Sequence, residues 1–351
     1  MRSDVVTGKS RSPQSRRGGV EWAQRATARD VAALSGVSAQ TVSRVANGAQ
    51  NVKPETKQRV LDAMEKIGYR PNAAARSLRS GRSDVIGLVA HHMARTGEAH
   101  TAEAIATAAH ASGYAVSLAH SRSGGVEDLN TALNQLRQDV AGLVVLGMEA
   151  EQIEQLVVPP HTPVVIADSR ALSHPTLGID QVGGAVLAVE HLLGLGHATV
   201  HFVSGPQDSV QSQLRESGWR QALLRRGAAV PAPYSGDWTP ASGYRAGTAL
   251  AEDPQATAVF CANDEMAAGL LRALHERGRQ VPDEISVVGF DDVLAEYLWP
   301  PLTSVHQGFT EVGERLVDVL RRQIEGQSAP AGQTLSTPEL SVRASTAAPV
   351  L

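Results

Sequence analysis

Read for the period of its apolar positions, the chain divides into three stretches. Residues 1–24 show neither a helical nor a strand period and are rich in Arg, Ser and Gly, so they read as a disordered basic extension. From Thr27 onward helix signals are dense. Thr27, with Asp30 three residues later, forms a capping box ahead of a short helix through Leu34. Ser35-Gly36-Val37 supplies a tight turn, and Ser38 caps a second helix from Ala39 to about Asn47. Two short helices joined by a Gly-containing turn are a helix-turn-helix. A third helix opens on Pro54 and runs to Ile67, with Val60, Leu61, Met64 and Ile67 as its apolar face and Gly68 closing it. Lys53 stands at its N-cap, where Ser or Thr is favoured, so a side-chain cap is expected to be missing, a loss of about 1 kcal/mol. Residues 25–70 therefore form a three-helix unit, and 71–83 a basic, Ala-rich hinge or linker too short to be a stable helix alone.

Beyond Asp84 short apolar runs alternate with amphipathic windows. Strands are predicted at Val85–Ala90, Ala115–Ala119, Gly142–Leu146, Val164–Ala167, Val200–Val203, Ala258–Cys261, Ile285–Phe290 and Ser304–Gln307. Helices are predicted near 100–112, 127–138, 181–195, 211–226, 241–252, 264–277 and 309–325. Continuous apolar strands alternating with helices imply parallel sheet covered on both faces. So many units over this length exceed one sheet, which predicts two Rossmann-like α/β lobes and a cleft between them. The expected division of residues 84–345 is a first lobe of about 84–179 plus 308–325 and a second of about 180–303 plus 326–345. The tail from Gln327 shows no heptad helix.

Composition narrows the chemistry. The chain has 351 residues, 42% of them hydrophobic, which excludes an intrinsically disordered protein. No apolar run reaches the roughly 18 residues of a membrane span, and the N-terminus lacks the apolar core of a secretory signal. A single cysteine, Cys261, allows no internal disulfide and fits a reducing cytoplasm. The net charge of −4 conceals a split. Residues 1–82 carry 16 Lys and Arg against 6 Asp and Glu, giving +10, and the remainder 16 against 30, giving −14. A cationic head on an anionic body is the footprint of a polyanion-binding module joined to something else. The twelve histidines show no HExxH or His/Cys ligand spacing, and His91 and His92 are expected on opposite faces of a strand, so no metal is called for. The acid pairs Asp264-Glu265 and Asp291-Asp292 diverge by adjacency, and no Gly-rich phosphate loop occurs, so neither catalysis nor a cofactor is expected.

The segments ATARDVAALSGVSAQTVSRVANG and RVLDAMEKIGYRPNAAARSLRSGRSDVIGLV resemble the lactose-repressor (LacI/GalR) family of bacterial transcription regulators. The likeness continues through GIDQVGGAVLAVEHLLGLGH, GWRQAL, SGDWTPASGY, FCANDEMAAGLLRAL and ISVVGFDD, spanning about residues 26–345. It implies a helix-turn-helix head and a body of the periplasmic-binding-protein type. It also implies a cytoplasmic, nucleoid-associated homodimer that reads a pseudo-palindromic double-stranded operator. In the implied complex the helix from Ala39 enters the major groove, with Gln40 bridging adenine and Arg44 reaching guanine or phosphate. Ala39 suits a thymine methyl, and Thr41 and Ser43 offer hydroxyls. Thr27, Asn47, Asn51 and Thr56 match backbone contacts that set register. Asn72 to Leu78 matches the hinge helix, with Ala74 and Ala75 small enough for two copies to approach and Leu78 as a minor-groove wedge.

The same resemblance implies a sugar effector bound between the lobes. Trp238 matches a stacking tryptophan, Arg215 a fork for paired hydroxyls, and Asp168, Asn263 and Asp291 polar contacts at strand ends. Gln307 and Phe309 match cleft positions. His91, Leu146 and Ile179 stand where the lactose repressor has a small hydroxyl residue, an amide and an aromatic, so a different sugar is implied. Asp292 is expected to be structural. With Arg215 the one strong basic candidate, an uncharged sugar is expected over a phosphosugar or nucleotide, although the family includes purine sensors. The tail lacks the lactose repressor's tetramerising helix, so a dimer is expected.

Overall fold

The computed structural model describes residues 26–46, 49, 51–69, 83–122, 125–136, 140–146, 155–158 and 160–350, which fall into two compact units divided after Arg76. The first contains α1 (Ala28–Ser35), α2 (Ala39–Ala46) and α3 (Pro54–Lys66). The capping box forms as the sequence implies. The Thr27 hydroxyl accepts from Asp30 N, and the Asp30 carboxylate accepts from Thr27 N at 2.8 Å. Gly36 ends α1 at φ 68, the left-handed conformation that costs glycine little. Ser38 Oγ accepts from Thr41 N at 3.1 Å and so caps α2. Lys53 makes no side-chain cap to α3, as its chemistry dictates. Val31, Val42, Val45, Val60, Ala63 and Met64 form the core of this unit. Leu61 was expected on the buried face of α3 but is exposed, because the helical period brings Ala63 inward beside Val60 and Met64.

The second unit holds two six-stranded sheets. In the first, β1 (Val85–Ala90), β2 (Ala115–His120), β3 (Gly142–Leu146), β4 (Val164–Ala167) and β5 (Thr176–Ile179) join a late strand, β11 (Gln333–Ser336). The order is β11-β5-β4-β3-β1-β2 and all pairings are parallel. The helices α4 (Thr96–Ala111) and α10 (Phe309–Ile324) pack against one cluster of its side chains, and α5 (Val126–Leu136) against another. β1 and β3 are covered on both faces, which is why they read as unbroken apolar runs.

The second sheet runs β12-β10-β9-β8-β6-β7, from β6 (His201–Ser204), β7 (Tyr234–Ser235), β8 (Ala258–Cys261), β9 (Ser286–Asp291), β10 (Thr303–His306) and β12 (Glu339–Ser341). Only the β10–β12 pairing is antiparallel. Four helices accompany it: α6 (Gln181–Gly194), α7 (Val210–Arg225), α8 (Pro240–Ala251) and α9 (Asp264–Glu276). Phe202 stacks on Trp219 at 5.3 Å and on Phe260 at 5.2 Å between ring centres, so four of the chain's few aromatics, with Phe290, make one buried file.

The chain passes between lobes three times, before α6, between β10 and α10, and between β11 and β12. The third passage corrects the expected boundary. Gln333–Ser336, placed by sequence in the second lobe, pairs in parallel with Thr176–Ile179 of the first. Beyond β12, Ser345 is fully buried. Its hydroxyl donates to Val287 O and accepts from Thr303 N, and Ala347 N donates to Ser286 Oγ, so the tail is stitched to the second sheet. Among the described residues after Gly326 there is no helix.

Candidate functional site

In the three-helix unit α2 turns Val42 and Val45 inward and leaves Ala39, Gln40 and Arg44 exposed, with Thr41 and Ser43 half-buried beside them. The 3.6-residue period does this: positions 39, 40, 43 and 44 share the face opposite 42 and 45. Thr27 and Asn51 are exposed and Thr56 half-buried. Asn47, Asn72, Ala75 and Leu78, with the basic extension and nearly all of the hinge segment, lie outside the described residues.

In the second unit a cavity of about 570 Å³ opens between the lobes. Its lining includes nine of the ten cleft residues picked from sequence: Leu146, Asp168, Ile179, Arg215, Trp238, Asn263, Asp291, Gln307 and Phe309. His91 is not among them. It lies one residue past β1, buried, with Nδ1 3.2 Å from Ser121 O and its ring centre 3.6 Å from that of His92. The two histidines follow the strand rather than alternate within it, so they face each other instead of opposite sides.

The second-lobe wall is positioned by helix starts. Gly269 of α9 lies against Pro240, where a Cβ would stand 1.8 Å from the carbonyl oxygen, and Gly243 of α8 would put one 1.9 Å from Met266 O. Only glycine permits that approach, which sets the first turns of α8 and α9 side by side. Asn263 caps α9, its Oδ1 accepting from Met266 N at 2.9 Å, while its Nδ2 donates to Trp238 O at 3.1 Å. Trp238 sits at φ 70, strained for a bulky residue, with its ring edge against Gly205. Its Nε1 is buried without a hydrogen-bond partner.

Arg215 is the hub. Its Nε donates to Gln181 Oε1 at 2.7 Å, Nη1 to Ala262 O, and Nη2 faces Asp291 Oδ1 at 3.3 Å. Gln181 Nε2 donates to Gln307 Oε1 at 3.1 Å, and Gln307 Nε2 donates to Asp291, closing a ring of four side chains. The guanidinium also lies 3.8 Å over the Phe290 ring and 5.4 Å from the centre of Trp238. Burial pulls the Arg215 pKa down and Asp291 opposes that shift. Burial pushes Asp291 up, to about 8, against the pull of Arg215. Three of the five N–H groups of Arg215 are thus turned to protein acceptors, so the free fork expected from sequence is partly spent. Asp291 is at φ 103 and Asp292 at φ 56. The turn sends Asp292 out of the cleft to Arg343 at 2.7 Å and Ser341 at 2.7 Å, a structural carboxylate.

Across the cleft Asp168 lies just past the end of β4 and is forked by Arg170, at 3.0 Å from Nε and 2.7 Å from Nη2. Phe309 opens α10, stacked 5.9 Å from His100 and against Gly97. Sequence reasoning missed Gln181, Arg170, Glu265 and the first turn of α4. Gln181 acts through residues distant in sequence, which no local pattern shows, while Arg170 folds back on Asp168 only two positions earlier. Glu265 was set aside with Asp264, and the two do diverge. Asp264 is buried, takes Ser304 Oγ at 2.6 Å and Val293 N at 3.0 Å, and is pushed up to about 7 by burial. Glu265 faces the cavity. Among the described residues no group of His, Cys, Asp and Glu could hold a metal ion, and no helix is long and apolar enough to cross a membrane.

Two family models match the chain, "Bacterial regulatory proteins, lacI family" over residues 27–72 and "Periplasmic binding protein-like domain" over residues 189–346. The lactose operon repressor of Escherichia coli (strain K12) is 35% identical over 322 residues, 87% of this chain and 87% of that protein. The HTH-type transcriptional regulator CelR of Thermobifida fusca is 34% identical over 341 residues, 93% of this chain and 100% of that protein. A crystal structure of the Lac repressor dimer bound to operator and the anti-inducer ONPF superimposes with a TM-score of 0.82 at 34% identity, covering 93% of this chain and 100% of that one. A CelR–cellobiose complex superimposes with a TM-score of 0.67 at 31% identity, covering 92% and 100%.

Proposed function

The chain belongs to the LacI family of bacterial regulatory proteins, whose members are transcriptional repressors and not enzymes, and on that premise we propose that it represses carbohydrate-utilisation genes and leaves its operator when a neutral sugar binds between the lobes. The observation that carries the reading is the charge of the cleft. Glu98, Asp168, Asp237, Glu265 and Asp291 line it against Arg95 and Arg215, and Arg215 is held by Asp291. An anionic effector would enter an acid-rich cavity with no free basic pair to receive it. A saccharide brings neutral hydroxyls that can donate to carboxylates and an apolar ring face that can lie on Trp238. The CelR–cellobiose complex supplies a precedent for a sugar ligand on this fold.

In this account Ala39, Gln40, Thr41, Ser43 and Arg44 read the major groove in a homodimer spanning a pseudo-palindrome, and paired hinge segments with Leu78 complete the grip. Effector and operator oppose each other through one reciprocal coupling free energy, typically ~1–3 kcal/mol. A site selected in vitro from random duplexes, followed by competition with unrelated DNA at fixed salt, tests the DNA half. A symmetric consensus is expected, and binding indifferent to sequence would refute it. The second half is tested by adding neutral sugars, sugar phosphates and purines to the complex. Release by a neutral sugar is expected, and release by a phosphosugar or purine alone would overturn it.

A further inference from the structure

Five carboxylates line the cleft, and four are balanced within the protein. Asp168 is forked by Arg170, Asp291 faces Arg215 at 3.3 Å, Asp237 faces Arg245 at 3.3 Å, and Glu98 lies 3.9 Å from Arg95. Glu265 differs from all four. Among the described residues none forms an ion pair with it. Its Oε1 accepts the hydroxyl of Thr96, which opens α4 on the facing lobe. Its Oε2 is buried and has no hydrogen-bond partner. Buried acceptors are almost always satisfied, and one left empty in the wall of a ligand-sized cavity points to a donor that arrives with the ligand.

We propose that Glu265 is a specificity-determining residue of the cleft, whose Oε2 accepts a hydroxyl of the effector and whose charge turns away anionic saccharides such as sugar phosphates. The inference rests on the reading of the cleft as a sugar site and adds to it the group that selects among sugars. A hydroxyl satisfies the orphaned oxygen without bringing a second negative charge, whereas a phosphate in the same place meets a carboxylate that is not held in an ion pair. The same carboxylate takes a donor from the facing lobe through Oε1, so a ligand hydroxyl and Thr96 meet on one side chain. Occupancy and the approach of the two lobes thereby share a group.

Calorimetric titration of the full-length protein with cellobiose, lactose, maltose, trehalose and glucose, and with trehalose 6-phosphate and glucose 6-phosphate, tests this. Wild type should bind at least one neutral sugar and reject the phosphorylated ones. Glu265→Met should weaken the neutral sugar by roughly ten-fold or more, the loss typical of a charged hydrogen-bond partner. Glu265→Gln should narrow the gap between neutral and phosphorylated sugars. Melting temperature serves as the folding control, and if the Met variant does not fold, the Gln comparison decides alone. Neutral affinity unchanged in Glu265→Met, or the neutral-to-phosphate gap unchanged in Glu265→Gln, overturns the role of Glu265 and leaves the sugar reading standing. If no neutral sugar binds wild type, that reading falls and the inference falls with it.

Discussion

Asp264 shows how a side chain beside the ligand cavity ties stability to pH. Burial raises it to about 7 and Asp291 to about 8, against a carboxylate value near 4 in the unfolded chain. Between those limits the folded protein binds more protons than the unfolded one, so this stability is present at low pH and is lost as pH rises through about 7 to 8. Melting temperature should therefore fall as pH rises from about 5 to 8 and level off above it, and Asp264→Asn should flatten the fall; an unaltered slope would show that Asp264 does not titrate in that window. The imidazoles work at the other end. His197 bonds Thr257 and the tail carbonyl of Ala347, and burial lowers its pKa along with those of His191 and His201. A lowered histidine contributes stability above the unfolded value near 6.5 that is lost on acidification. His197→Gln should reduce that acid-side loss, measured as melting temperature between about pH 7 and 5. The identity of most cleft residues was legible because family motifs mark them. Their partners Gln181 and Thr96 were not, since these reach Arg215 and Glu265 only through the fold.

At the scale of elements, legibility followed burial. Strands covered on both faces, such as Val85–Ala90 and Gly142–Leu146, announce themselves as apolar runs, and the structure keeps those bounds. The strands absent from the sequence reading are short or half-exposed, Thr176–Ile179, Tyr234–Ser235, Gln333–Ser336 and Glu339–Ser341. An edge strand with one wet face carries little apolar signal, and two of these are late returns of the chain to sheets already built. The approach of α8 to α9 was equally hidden, since it depends on what two glycines lack. Gly269→Ala would force a Cβ onto Pro240 O and should destabilise the protein by about 1–3 kcal/mol or more, read from chemical denaturation. It should also weaken sugar binding, because the same contact sets the first turns that carry Trp238 and Asn263. A variant with native stability and native affinity would show that the helices can part without consequence.

For the molecule as a whole, the charge split separates two tasks. The +10 of residues 1–82 suits a phosphate surface, and the acid-lined cavity suits a neutral ligand. If six to ten phosphates are neutralised, operator affinity should fall by roughly 10³ or more between 50 and 200 mM salt. Sugar affinity of the free protein should change little over the same range if the proposed effector is uncharged. The central claim is that one neutral ligand in the cleft empties the operator. Its most direct test is fluorescence anisotropy of the labelled, selected operator at constant salt, titrated with the sugar that binds the wild-type protein, beside the same titration of Trp238→Ala. The account predicts operator release that saturates with the sugar in wild type and is lost in the variant while DNA binding persists. Operator affinity unmoved by a saturating, calorimetrically bound sugar would contradict it.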